Sequence, residues 1–194
     1  MEGVRLERSN RVAVVAHCLL NVNTKVHGLA CYPGSHERIR ELLDRGCGIT
    51  QLPCPEFTYL GARRWGMTKE QYDTTGYRRH CRALATGVVE QLIEHRADGT
   101  DILEIVGVDG SPSCGVFRTC TGYGGGEIDR LQTKPEATVE RGSGVFFEEL
   151  MTLLSARGLQ DVPLSAVPET GGQAGQLAEA RAGEAPVPPR AGGN

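Results

Sequence analysis

The sequence carries seven cysteines but no C-x-x-C pair, which leaves out zinc ribbons and thioredoxin-type redox motifs. Aromatic residues make up only 5% of it, with a single tryptophan. No window approaches the roughly 18 apolar residues that a membrane span needs. Neither sign of charge dominates: 21 Lys and Arg against 24 Asp and Glu give a formal net charge of −3, which argues against a broad nucleic-acid footprint. The opening MEGVRLERSNR lacks the apolar core of a signal peptide, so the expected compartment is the cytoplasm, where thiols stay reduced. Scattered cysteines in odd number do not suit a disulfide framework. Metal binding, thiol chemistry or plain burial remain for them.

With 194 residues, 39% of them hydrophobic, the chain is long enough for one well-buried core. Arg11–Ala16 (RVAVVA) is a β-branched apolar run of the kind a buried strand requires. Ser35 to Arg45 reads as a helix, with Ser35 as N-cap and Ile39, Leu42 and Leu43 on one face. Gly46-Cys47-Gly48 ends it and leads into a second strand, Ile49–Leu52, which Pro53-Cys54-Pro55-Glu56 stops. Residues 57–67 read as a connection rich in aromatic and basic side chains, and Thr68-Lys69-Glu70-Gln71 is a capping box. After a break at Thr74-Thr75-Gly76, the spacing of Tyr77, Cys81, Leu84, Val88 and Leu92 predicts a helix to about residue 95. Arg78, Arg79 and Arg82 then form a solvated face.

Ile102–Val108 is the third strand, with a short extension at Val116–Thr119 before the glycine-rich TGYGGGE. Gly144 to Ala156 reads as a helix and Val162–Val167 as the last strand. Strands alternating with helices predict an α/β fold: a three-layer, Rossmann- or flavodoxin-like parallel sheet with helices on both faces. Residues 1–168 form the expected single domain. The Gly/Ala/Pro-rich segment 169–194 has too few large apolar residues to pack and reads as a disordered tail.

In parallel α/β sheets ligands bind beyond the carboxyl ends of the strands. Cys18, Cys54 and Cys114 each follow such an end, in AHCLLN, LPCPE and GSPSCG. Neighbouring strand ends lie about 5 Å apart sideways, so three loops can converge. Proline and glycine beside Cys54 and Cys114 stiffen two of those loops. Three converging thiolates need a cation to neutralise them, and soft thiolates select zinc, copper(I) or iron–sulfur clusters. Three ligands leave one coordination position open. The alternative is three small buried hydrophobes.

The three segments in that order, with FTYLGARRWGMTKEQYD and GSGVFFEEL, resemble the thiouracil desulfidase family over about Val12 to Pro168. The resemblance implies a 4Fe-4S cluster held by Cys18, Cys54 and Cys114, with a fourth iron that takes the sulfur of a small thiocarbonyl substrate. It implies exchange of C=S for C=O with water, and places Glu56 at acid–base work or substrate contact. Glu56, Asp109 and Ser113 are the candidate catalytic residues. Better-known members tend to read K-S-R where this chain reads Val108-Asp109-Gly110. Asp109 is then an acid–base group, a partner for a cationic substrate group, or a turn-former.

Ser111 and Ser113 tie down the turn around Pro112, or Ser113 donates to cluster or substrate. Tyr59 and Trp65 could stack a planar ring while Arg63 or Arg64 meets an anion; packed aromatics beside solvated arginines is the preferred reading. Cys81 reads as core and Cys47 sits at a helix-to-strand corner away from the expected site, whereas Cys31 and Cys120 follow two of the motifs and could approach the site. His17 and His27 suit hydrogen bonding better than ligation. Gly142-Ser143-Gly144 reads as a serine cap or an anion cradle at a helix start, and TGYGGGE as a flap. Two other functions fit the same cysteines: a three-cysteine zinc hydrolase, and a non-catalytic sensor or carrier of a sulfur compound.

Overall fold

The computed structural model describes residues 8–126 and 137–169. Four parallel strands form one sheet in the order β2-β1-β3-β6: β1 (Arg11–Val15), β2 (Gly48–Gln51), β3 (Asp101–Asp109) and β6 (Leu164–Pro168). Val12, Ala13, Val14 and Val15 are all buried, as a strand covered on both faces demands. The order reverses direction between β1 and β3, the switch point where such sheets open a crevice.

Helices cover both faces, and β3 shows which lies where. Glu104 accepts a hydrogen bond of 2.6 Å from Arg38 of α2 (Glu37–Asp44). Three residues along, a Cβ at Gly107 would lie 2.8 Å from Phe147 of α6 (Val145–Ala156). Odd separation along a strand means opposite faces. The long α5 (Thr75–Ala97) packs against α6, and right-handed crossovers put both on one side of the sheet. Arg78 and Arg82 on α5 pair with Glu148 and Glu149 of α6, so the face expected there carries an interhelical ion-pair network while Arg79 and Arg82 stay exposed, as expected.

The capping box at Thr68 opens α4 (Lys69–Tyr72), and Thr74 caps α5 by accepting from the Tyr77 N–H at 3.2 Å. Three local expectations differ. His36, not Ser35, caps α2, its Nδ1 accepting from the Arg38 N–H at 3.0 Å, and Leu43 stays 54% exposed because the helix turns that position outward. The connection 57–67 begins inside a helix, α3 (Pro55–Leu60), since proline fits the first turn where its missing N–H costs nothing. The extension after Cys114 is β4 (Arg118–Thr121), paired antiparallel with β5 (Thr138–Arg141) in a separate two-stranded sheet. The remaining helix, α1 (His17–Leu20), follows β1 directly and precedes a 3-10 turn at Val22–Thr24. The tail expected from composition lies, beyond Glu169, outside the described residues, as does Glu127 at the end of TGYGGGE.

Candidate functional site

Each of the three motif cysteines stands just past a strand end, held by its own local device. Cys18 is the second residue of α1, and Tyr32 donates to its carbonyl at 2.9 Å. Cys54 is the N-cap of α3, its Sγ accepting from the Phe57 N–H at 3.4 Å. Cys114 lies in the turn after β3. Its N–H reaches Ser111 Oγ at 3.0 Å and its carbonyl accepts from Val108 at 2.8 Å.

The Cys114 turn is also clamped from α6. The first amides of that helix donate to the turn's carbonyls: Val145 to Pro112 at 2.9 Å, Phe146 and Phe147 to Ser113 at 3.0 and 3.2 Å. These donors leave no anion cradle at Gly142-Ser143-Gly144, and Ser143 is no cap: its hydroxyl donates to the Val116 carbonyl at 2.7 Å. Glycine is required at 144, where a Cβ would come within 2.4 Å of the Ser113 carbonyl carbon. Asp109 closes the loop from the other side, with Oδ1 accepting from Val116, Phe117 and Arg118 at 2.9, 2.9 and 3.2 Å.

Burial and neighbouring charge act on all three thiols. Burial pushes the Cys18 thiol up to about 12; Lys25 opposes this, and Cys54, Glu169 and Glu56 add to it. Burial likewise raises Cys114 well above the ordinary thiol range, with further repulsion from Cys54, Cys18 and Glu56. Cys54 is raised by burial and by Glu56, against the Phe57 N–H and Arg64. Each of the three is thus neutral unless a cation arrives. Among the described residues no three His, Cys, Asp or Glu side chains are grouped to hold a metal ion.

Glu56 is buried in the first turn of α3, and its carboxylate is fixed rather than loose. Arg64 Nε and the Tyr72 hydroxyl both donate to its Oε2 at 3.2 Å. Among the described residues none donates to Oε1. Arg64 is buried, contrary to the solvated reading, because its guanidinium also satisfies the carbonyls of Thr24 at 2.7 Å and Gly61 at 3.3 Å. It therefore ties the Cys18 loop to the Cys54 helix. Ser113 is fully buried and its hydroxyl meets that of Tyr77 at 2.8 Å; Tyr77 in turn packs on Tyr72, ring centroids 4.8 Å apart.

Lys25, Glu169, Tyr32 and Tyr77 carry no motif signal, and they reach the site only through the fold. Lys25 is buried and donates to the Glu169 backbone carbonyl at 3.1 Å, with its ammonium 4.0 Å from Glu169 Oε1. Glu169 is anchored by its N–H to the Asp109 carbonyl at 2.8 Å, continuing the line of β6 past the boundary drawn from composition. Burial and the charge of Glu56 raise its carboxyl, against the pull of Lys25. Cys31 is exposed with its Sγ 3.7 Å from the Glu169 carbonyl, and Cys120 feels the charge of Glu169. Cys47 and Cys81 are core. Trp65 is 69% exposed and Tyr59 leans on Tyr77 and His80. His17 pairs its ring with the Gln51 amide, and His27 is exposed.

A family model described as "Putative 2-thiouracil desulfurase" matches residues 10–126, a span that contains all three motif cysteines. An archaeal relative from Methanocaldococcus jannaschii, named "Uncharacterized protein MJ0003", is 39% identical over 112 residues, covering 57% of this chain and 71% of that one. No solved structure matches the chain. With more than half of its length inside that model, the chain belongs to the family described as "Putative 2-thiouracil desulfurase".

Proposed function

We propose that this chain is a desulfidase that exchanges C=S for C=O in a small thiocarbonyl compound. Cys18, Cys54 and Cys114 would hold a 4Fe-4S cluster. The observation that carries the reading is that the three thiols each follow the end of one of three neighbouring strands of the parallel sheet, with the buried carboxylate of Glu56 two residues after Cys54. The donor set fits such a cluster: soft ligands, three in number, each raised by burial until a cation is present. Each thiolate in a cluster takes its own iron, so the sulfurs need not close on a single ion.

When bound, the cluster supplies an open iron as a Lewis acid toward sulfur. The chain's own residues supply position and protons. Glu56, anchored at Oε2 by Arg64 and Tyr72, presents Oε1 to accept a proton from the incoming water. Asp109, Ser111 and Ser113 hold the Cys114 turn, and Tyr77 fixes Ser113 to α5. Among the described residues no helix is long and apolar enough to cross a membrane.

The test is anaerobic reconstitution followed by metal and sulfide analysis. The expected result is brown protein with about four irons and four sulfides per chain, and release of sulfide from 2-thiouracil or a simple thioamide. A colourless, iron-free product overturns the proposal. Zinc in its place would favour the hydrolase reading. A retained cluster with no sulfide released from any thionated base or amide would favour the sensor or carrier.

A further inference from the structure

The two outer strands of the parallel sheet are built differently. β6 is bracketed by Pro163 and Pro168, and proline guards an edge against added strands. β2, at the other edge, reads Gly48-Ile49-Thr50-Gln51, with no proline, no charge and no bulge against β1. The Leu52 N–H donates to the Val15 carbonyl at 2.8 Å. Backbone groups alternate sides along a strand, so Gly48 and Thr50 also face β1, while Ile49 and Gln51 turn their N–H and C=O outward. Among the described residues no strand pairs with them. Nor does α5 close over β2: an open groove of about 640 Å3, lined by Ile49, Thr50, Gln91 and His95, lies between them. On the other face α2 packs on β2, and its Arg38 reaches past β1 to Glu104 of β3 at 2.6 Å. At about 100° per residue, Leu43 stands about 140° round the helix from Arg38, on the flank toward the free edge. It is 54% exposed there, an apolar side chain beside an unpaired strand, with exposed Arg40 and Asp44 next to it.

We propose that β2 is the seam of a two-fold dimer of this chain: two copies join antiparallel at their β2 edges into one continuous sheet, with the Leu43 side chains of the two α2 helices packed together. The occupant is a second copy because the edge complements itself. With Thr50 on the two-fold axis, Ile49 of each copy lies opposite the partner's Gln51, and every outward N–H and C=O of both strands is paired. The strand carries no charge to repel its own image. The axis also runs the two α2 helices antiparallel. Arg40 and Asp44 are four residues apart and opposite in sign, so each Arg40 meets the partner's Asp44 and the contact forms twice. Leu43, near the midpoint of that pair, gains the apolar cover it lacks in one copy. The dimer is independent of the desulfidase reading, since none of these residues belongs to the candidate site.

Sedimentation velocity of the full-length protein over the micromolar range tests this, with and without anaerobic reconstitution. The mass should rise with concentration from 20.9 kDa toward twice that value in both preparations. Leu43→Lys, at an exposed position, should weaken self-association about tenfold or more and leave the circular dichroism spectrum unchanged. Arg40→Glu and Asp44→Arg should each weaken it, and the double charge swap Arg40→Glu/Asp44→Arg should recover most of the loss, which a merely structural role for either residue would not produce. Thr50 should face its own image in a pair without direct hydrogen bonds, with Cα atoms about 4.5 Å apart, within disulfide reach. Thr50→Cys in the cluster-free chain should therefore give, on mild oxidation, a covalent dimer well above the wild-type background on a non-reducing gel. The proposal is overturned if wild type stays at 20.9 kDa throughout the range, if Leu43→Lys associates as wild type does, if the double swap fails to recover association, or if Thr50→Cys cross-links no more than wild type.

Discussion

Replacing Arg64 by Met tests whether the site is assembled by a buried charge. In the fold the guanidinium satisfies one carboxylate and two carbonyls from three segments: Glu56 at 3.2 Å, Thr24 at 2.7 Å and Gly61 at 3.3 Å. Methionine keeps much of the volume and none of the donors. Glu56 is then left with Tyr72 alone, and the Thr24 carbonyl loses this partner. Breaking a buried ion pair by removing one partner costs about 3–5 kcal/mol. With a urea slope of about 2 kcal/mol/M, the unfolding midpoint should fall by roughly 1.5–2.5 M. The assay is urea unfolding of the cluster-free protein at neutral pH, followed by tryptophan fluorescence and circular dichroism. Arg64→Met/Glu56→Gln should cost clearly less than the sum of its singles, because the second change removes the stranded charge. A loss under about 1 kcal/mol for Arg64→Met, or simple additivity in the double variant, would refute the reasoning: the pair would then behave as an exposed one.

Serine at Cys18, Cys54 or Cys114 should abolish retention of about three or more of the irons, while Cys81→Ser, in the core, should keep them; iron analysis after gel filtration decides. Asp109→Ala removes the acceptor of three backbone amides and should cost about 3 kcal/mol in urea unfolding, with Asp109→Asn recovering a good part. Gly144→Ala should cost about 2–3 kcal/mol by the same assay, since its Cβ meets backbone rather than a side chain that can swing away. Cys18 also sets an alkaline limit for the cluster-free chain. Burial raises its thiol from 9.0 to about 12, so the unfolded chain gives up that proton first as pH rises. The stability it contributes is whole below about pH 9 and is lost as pH climbs toward about 12. The urea midpoint should fall across that window, less steeply in Cys18→Ala.

Much of the scaffold was legible because its signals are local. The run RVAVVA needs only its own side chains to declare a strand covered on both faces, and Thr68 and Gln71 declare a helix start by reaching each other. Where a local rule has two outcomes, the sequence reading reached only one of them. Pro55 belongs to the stop after β2, as expected, and it is also a good first residue for α3. His36 outdid Ser35 as a cap because a ring nitrogen accepts as well as a hydroxyl does. The antiparallel pairing of β5 with β4 joins residues too far apart for any short window.

The site divides along the same line. Sequence alone marked the three strand-end cysteines and Glu56, because strand ends, prolines and spacing are written in consecutive residues. It could not say that Arg64 is buried, since exposure belongs to what packs on a side chain and not to the side chain itself. Nor could it bring Lys25 to Glu169, 144 positions apart, or turn Asp109 onto the amides of residues 116–118. Composition even placed Glu169 in the tail. Hydrogen bonds and ion pairs across such separations form only when the sheet order β2-β1-β3-β6 sets the strand ends side by side. The candidate ligands are thus legible in the chain, and the charges around them are decided by the fold.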